Sequence, residues 1–131
     1  MKIKIKGNIT DLSGMFYLCR NLVKVEGVIG KDIKSFRYMF NECSSLHDID
    51  GLKDWNVSNG NDFSFMFSGC SSLENIDALS NWNVSNCNNF HDVFSICSIE
   101  NIDALKNWNV SKGKYFSCMF NRCSSLENID H

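Results

Sequence analysis

Met66-Phe-Ser-Gly-Cys-Ser-Ser-Leu-Glu-Asn-Ile-Asp77 returns as Met119-Phe-Asn-Arg-Cys-Ser-Ser-Leu-Glu-Asn-Ile-Asp130 and as Met39-Phe-Asn-Glu-Cys-Ser-Ser-Leu-His-Asp-Ile-Asp50. Two weaker copies run from Met15-Phe16 through Cys19 and Leu22 to Val25, and from Val93-Phe94 through Cys97 and Ile99 to Ile102-Asp103. Cys19, Cys43, Cys70, Cys97 and Cys123 are therefore in phase, at spacings of 24, 27, 27 and 26 residues. A period of that size describes a solenoid whose coils touch only their neighbours. It favours a binding or structural role over catalysis.

Within one coil, Trp55 to Asp77, apolar residues at Phe63, Met66 and Phe67 have the i, i+3, i+4 spacing of a short helix with one buried face. Gly69 suits its C-terminal end, where a left-handed residue is often required. Ser71-Ser72 reads as a turn. Leu73-x-x-Ile76-x-Ala78 then has the spacing of a leucine-rich-repeat strand, and Leu79 to Ser85 returns the chain with Trp82 and Val84 buried. The expected fold class is α/β: a leucine-rich-repeat-like solenoid of about five coils, with a parallel sheet on one face and short helices on the other. Stacking at about 4.8 Å turns Phe16, Phe40, Phe67, Phe94 and Phe120 into one ladder, and Leu22, Leu46, Leu73, Ile99 and Leu126 into another. The cysteines form a third. Cys97-Ser98-Ile99 lacks one serine, so a local distortion is expected there.

At 131 residues, 44% of them hydrophobic, the chain can bury one continuous core, and residues 1–131 read as a single domain. Residues 1–9 make a capping strand, with Ile3 and Ile5 alternating with lysines, and residues 10–131 make the coils. A formal charge of −2 without a basic patch gives nucleic acid or an anionic membrane nothing to pull on. Polar Gly7-Asn8 follows the N-terminal lysines, so the start is neither signal peptide nor membrane span. No Ser/His/Asp, Walker, Rossmann or zinc-protease signature appears, so neither an enzyme nor a cofactor is expected.

Trp-Asn-Val-Ser followed by Phe-x-x-Met-Phe-x-x-Cys-Ser-Ser-Leu-x-x-Ile-Asp resembles the bacterial surface-protein repeat of about 26 residues related to the BspA-like leucine-rich repeats, over roughly Thr10 to Asp130. The resemblance implies a curved repeat solenoid in cell-surface or secreted proteins that serve adhesion and host interaction, with no catalytic residues. Its partner would be a protein or cell-surface ligand. Read by itself, a complete chain without a signal peptide would stay in the cytoplasm.

Seven cysteines invite a disulfide or metal reading, but the number is odd and no C-x-x-C pair occurs. Small buried thiols are the better account, with Cys118, outside the ladder, the one within reach of a reagent. An acidic ladder is the main candidate site. Asp50, Asp77, Asp103 and Asp130, with Glu26 in the first coil, fall one residue after the second strand position, beside Asn75, Asn101 and Asn128. Stacked like charges repel. Either the stripe receives a cation or a basic partner, or each aspartate caps backbone N–H groups of the turn that follows. The three histidines form no metal pattern, and the spacing is not that of a calcium loop.

Asn8, Asn56, Asn83 and Asn109 each start an N-x-S/T sequon, three of them at one repeat position, as repeat ancestry explains. The chain stops at Asp130-His131 directly after an expected strand. That edge sets the second functional reading, a structural protein assembling as a homodimer through its open C-terminal edge.

Overall fold

The computed structural model describes residues 2–4 and 8–126. Asn128, Asp130 and the expected C-terminal strand edge lie outside the described residues, as do positions 5–7 of the expected capping strand.

Phe36 begins a segment that shows how the coils are built. Met39 N–H returns to the Phe36 carbonyl at 3.1 Å and Cys43 N–H to the Phe40 carbonyl at 3.1 Å, closing two successive four-residue turns. Their third residues, Tyr38 (φ 59°) and Glu42 (φ 62°), are left-handed, as the third residue of a type II turn must be. The pair recurs four residues apart in each coil: Gly14 and Leu18, Phe65 and Gly69, Asp92 and Ile96, Cys118 and Arg122. Non-glycine residues pay about 1–2 kcal/mol each for that conformation. Neighbouring coils hold them in it.

Every second N–H of the segment leaves its own coil. Phe36, Tyr38, Phe40 and Glu42 donate to the carbonyls of Asp62, Ser64, Met66 and Ser68 at 2.8–3.0 Å. Phe63, Phe65, Phe67 and Gly69 donate in turn to Asn89, His91, Val93 and Ser95, and Phe90, Asp92, Phe94 and Ile96 to Tyr115, Ser117, Met119 and Asn121. Parallel bridges Asp11–Ser35, Ser35–Asp62, Asp62–Asn89 and Asn89–Tyr115 mark one line through five coils. The main-chain ladder therefore lies where short helices were expected, and no α-helix occurs among the described residues. Four-residue turns bring residues i, i+3, i+4 and i+7 inward just as a helix does, which is why Phe63, Met66, Phe67 and Cys70 imitate one.

Opposite this ladder, the expected strands shrink. On this side, among the described residues, strand pairing is confined to β1 (Lys2–Lys4), parallel to β2 (Glu26–Val28), with one further bridge from Lys24 to Asp48. In the following coils Ile49, Ile76 and Ile102, with φ near −113° and ψ near 20°, leave the extended conformation, and 3-10 turns follow at Asp50–Leu52, Asp77–Leu79 and Asp103–Leu105.

Aromatic rings fill the space between. Phe16, Phe40, Phe67, Phe94 and Phe120 stack in sequence with centroids 5.5–5.9 Å apart and planes within 14°. A second file, Phe36, Phe63, Phe90 and Phe116, runs beside it. Trp55, Trp82 and Trp108 pack on these files, and each indole N–H donates to a carbonyl of the preceding coil, Gly27, Leu52 and Leu79 respectively, at 2.9–3.2 Å. Leu46, Leu73 and Ile99 are fully buried, while Leu22 and Leu126 are half-buried at the ends.

The lost serine has a specific effect. Leu46 N–H closes a turn on Cys43 and Leu73 N–H closes one on Cys70. In the short coil Ser98 N–H instead crosses to the Leu73 carbonyl at 3.1 Å, while its hydroxyl keeps the bond to the preceding coil, to the Ser71 carbonyl at 2.6 Å, that Ser72 makes to the Ser44 carbonyl at 2.7 Å. The coil trades an internal turn for a bond to its neighbour.

Candidate functional site

The cysteine ladder has a definite chemical use. Sγ of Cys43, Cys70, Cys97 and Cys123 donates to the carbonyls of Phe16, Phe40, Phe67 and Phe94 at 2.9–3.1 Å, always one coil back. A small apolar side chain with one weak donor fits the corner between turn and core. Burial pushes the Cys43 thiol up to about 11 and the Cys87 thiol up to about 12, and raises those of Cys70, Cys97 and Cys123. These groups stay protonated and unreactive at neutral pH. All seven cysteines are free thiols; Cys19 is half-buried at the first coil and Cys118 is exposed. No group of three or more His, Cys, Asp or Glu residues is placed to hold a metal ion among the described residues.

The acidic face differs. Asp50, Asp77 and Asp103 are exposed, each at the start of its 3-10 turn. Their N–H groups are capped from two residues upstream: Asn75 Oδ1 accepts from Asp77 N–H at 2.8 Å, Asn101 Oδ1 from Asp103 at 3.1 Å and Asp48 Oδ1 from Asp50 at 3.1 Å. The capping role expected of the aspartates thus belongs to Asp48, Asn75 and Asn101, whose local turns also bend the chain out of strand conformation. Among the described residues no hydrogen bond reaches the carboxylates of Asp50, Asp77 or Asp103. Glu26 is half-buried in β2, 3.9 Å from Lys24 Nζ, which is also 3.9 Å from Asp48.

Glu74, Asn75, Ile76, Asp77, Glu100 and Asn101 line a shallow groove of about 220 Å³ between the third and fourth coils. It brings Asn75, Asp77 and Asn101 together; Asp50 and Asp103 flank it along the stack. The glutamates were not foreseen, though Glu74 and Glu100 recur one residue before the asparagines. Trp-Asn-Val-Ser asparagines make turns of their own: Asn56, Asn83 and Asn109 each accept the N–H of the serine two residues on, at 3.0–3.1 Å.

A second surface escaped the sequence reading. Tyr17, Tyr38, Phe65 and His91 form a file of rings across four coils on the outside of the ladder, with centroids 4.7–6.4 Å apart. Arg37 lies 5.0 Å above the Tyr38 ring, and His91 Nε2 is 2.8 Å from the Asp92 carboxylate. Tyr38 and Phe65 share a repeat position, but Tyr17 and His91 stand at others, so the repeat does not announce this file.

Stacked coils, inward aromatic files and a polar outer face define a repeat protein. Within that class the chain belongs to the family described as Mycoplasma protein of unknown function, DUF285, whose model matches residues 6–98 and 34–131. No curated protein and no solved structure matches it. Among the described residues no helix is long and apolar enough to cross a membrane.

Proposed function

We propose that the chain is a non-catalytic binding module, a leucine-rich-repeat-like solenoid of the surface-protein type. It engages a protein or cell-surface ligand through the face that carries Asp50, Asn75, Asp77, Asn101 and Asp103, displayed at a cell surface or secreted. The observation that carries this reading is a division of labour. Asn75 and Asn101 build the turns, while the carboxylates beside them stay exposed and repeat along the stack without a task in the fold. Repeat surfaces present such side chains in register, and a row of anionic groups suits a cationic partner surface. Adhesion of beads coated with the 131-residue chain to cultured eukaryotic cells tests the reading. Asp77→Ala with Asp103→Ala should lower adhesion severalfold with an unchanged melting temperature. Equal adhesion by the folded variant excludes this face, and beads of the wild type that do not adhere exclude the adhesive role.

A further inference from the structure

One repeat position holds a glycine that the backbone does not require. Tyr38, Phe65, Asp92 and Cys118, in phase with Gly14, share its left-handed conformation, with φ of 56–59° against 66°. What the glycine removes is a side chain. The Tyr38 ring stacks on the Phe65 ring of the following coil, with centroids 4.7 Å apart and planes at 13°. In the coil before Tyr38 the equivalent place is open: a Cβ on Gly14 would meet only the Tyr17 Cβ, at 4.0 Å. There Ser13, Gly14, Tyr17 and Tyr38 line an outward-facing cavity of about 470 Å³. Its floor is held by the main chain, since Gly14 N–H donates to the Arg37 carbonyl at 2.8 Å and Tyr17 N–H to the Gly14 carbonyl at 3.0 Å. Tyr17 stands edge-on to Tyr38 at 68°, their centroids 6.4 Å apart. The Ser13 hydroxyl is already bonded to that of Ser35 at 2.7 Å, so the lining is mainly apolar. Arg37 lies exposed, 5.0 Å from the Tyr38 ring centroid, and among the described residues no carboxylate forms an ion pair with it.

We propose that this cavity receives an aromatic side chain of a partner protein that carries a carboxylate on the adjacent residue. The ring enters over Gly14 and packs against Tyr17 and Tyr38, making from one side of Tyr38 the kind of contact that Phe65 makes from the other. The carboxylate pairs with the Arg37 guanidinium, the cation beside the cavity. A sugar would need hydrogen-bond partners for its hydroxyl groups, which this lining does not supply. Tyrosine and arginine are the residue types that anchor protein interfaces. The cavity lies on the ladder side of the coils, away from the acidic face, so it does not rest on the reading of that face.

Amide chemical shifts of the isotope-labelled chain, titrated with end-blocked tetrapeptides, test the proposal. Gly-Phe-Glu-Gly should give saturating shifts at Gly14, Tyr17 and Tyr38, while Gly-Leu-Glu-Gly and Gly-Phe-Lys-Gly bind severalfold more weakly. Arg37→Gln should weaken Gly-Phe-Glu-Gly severalfold. Gly14→Tyr puts into the cavity the side chain that the next coil carries at that position, and should abolish the saturating shifts while circular dichroism is unchanged. Tyr17→Ala, at an exposed residue, gives a second block should Gly14→Tyr not fold. The proposal is overturned by Gly-Phe-Glu-Gly producing no saturating shifts at these residues, by the leucine or lysine peptide binding as well, or by full binding to the folded Gly14→Tyr chain. Saturating shifts with methyl glucoside and none with the peptides would make the cavity a sugar site and overturn it equally.

Discussion

The two sides of each coil share an apolar period and differ in what joins them to their neighbours. On the Phe36 to Cys43 side, four N–H groups per coil bond the next coil; on the Leu73 to Leu79 side the turns are closed within the coil, and stacking falls to Leu73, Ile76 and Leu79. A repeat protein can thus concentrate its main-chain cohesion in one stripe. The opposite stripe is then free to vary, and it carries the exposed carboxylates.

Breaking the cohesive side should have the largest effect. Phe67 lies between Phe40 and Phe94, fully buried. Phe67→Ala should cost about 3–5 kcal/mol, read as a lower denaturant midpoint.

Alkaline pH attacks the same side next. The buried thiols have folded pKa values raised above the unfolded value near 9, so the unfolded chain ionises first. Stability is full below pH 9 and falls as pH rises through the window up to about 11 for Cys43 and about 12 for Cys87, by about 1.4 kcal/mol per pH unit for each thiol. Urea midpoints at pH 8 and pH 10 measure this. At neutral pH a thiol reagent should label exposed Cys118 well before the buried ladder.

The left-handed positions give a smaller effect with a sign. Gly69 has φ 80°, and a Cβ there would come 2.8 Å from the Glu42 carboxylate. Gly69→Ala should therefore lose about 1–2 kcal/mol. Ile96 sits at the same repeat position with φ 57° and is 41% exposed, so Ile96→Gly should gain about 0.5–1 kcal/mol. Thermal melts of both variants compare them directly.

Smallest of all should be Asp77→Asn with Asp103→Asn on the opposite side. Removing two exposed like charges should change stability by no more than about 0.5 kcal/mol, in the stabilising direction. A large loss would return the turn-building role to these aspartates.

Much of this contrast was legible in the sequence. The phase of Cys43, Cys70, Cys97 and Cys123 located the coils, and the phenylalanine ladder followed from it, because stacking needs only register. Secondary structure was harder, since successive four-residue turns and an α-helix bury the same positions. Asp62-Phe-Ser-Phe-Met-Phe-Ser-Gly69 did hold a clue, being poor in the alanine, leucine, glutamate and lysine that helices favour. Strand pairing gives way on the other side because the side chains of Asn75 and Asn101 cap the N–H two residues on and bend the backbone, which apolar spacing alone does not reveal. The tyrosine file was not legible, for Tyr17 and Tyr38 occupy different repeat positions and meet only through the path of the coils.

Amide hydrogen exchange tests the central claim most directly. Slow exchange at Phe40, Glu42, Phe65, Phe67, Gly69 and Phe94, with fast exchange at Asn75, Asp77, Asn101 and Asp103, is the result this account predicts. Strong protection along Leu73 to Ala78, with weak protection across Phe63 to Gly69, would place the cohesive ladder on the other side and contradict it.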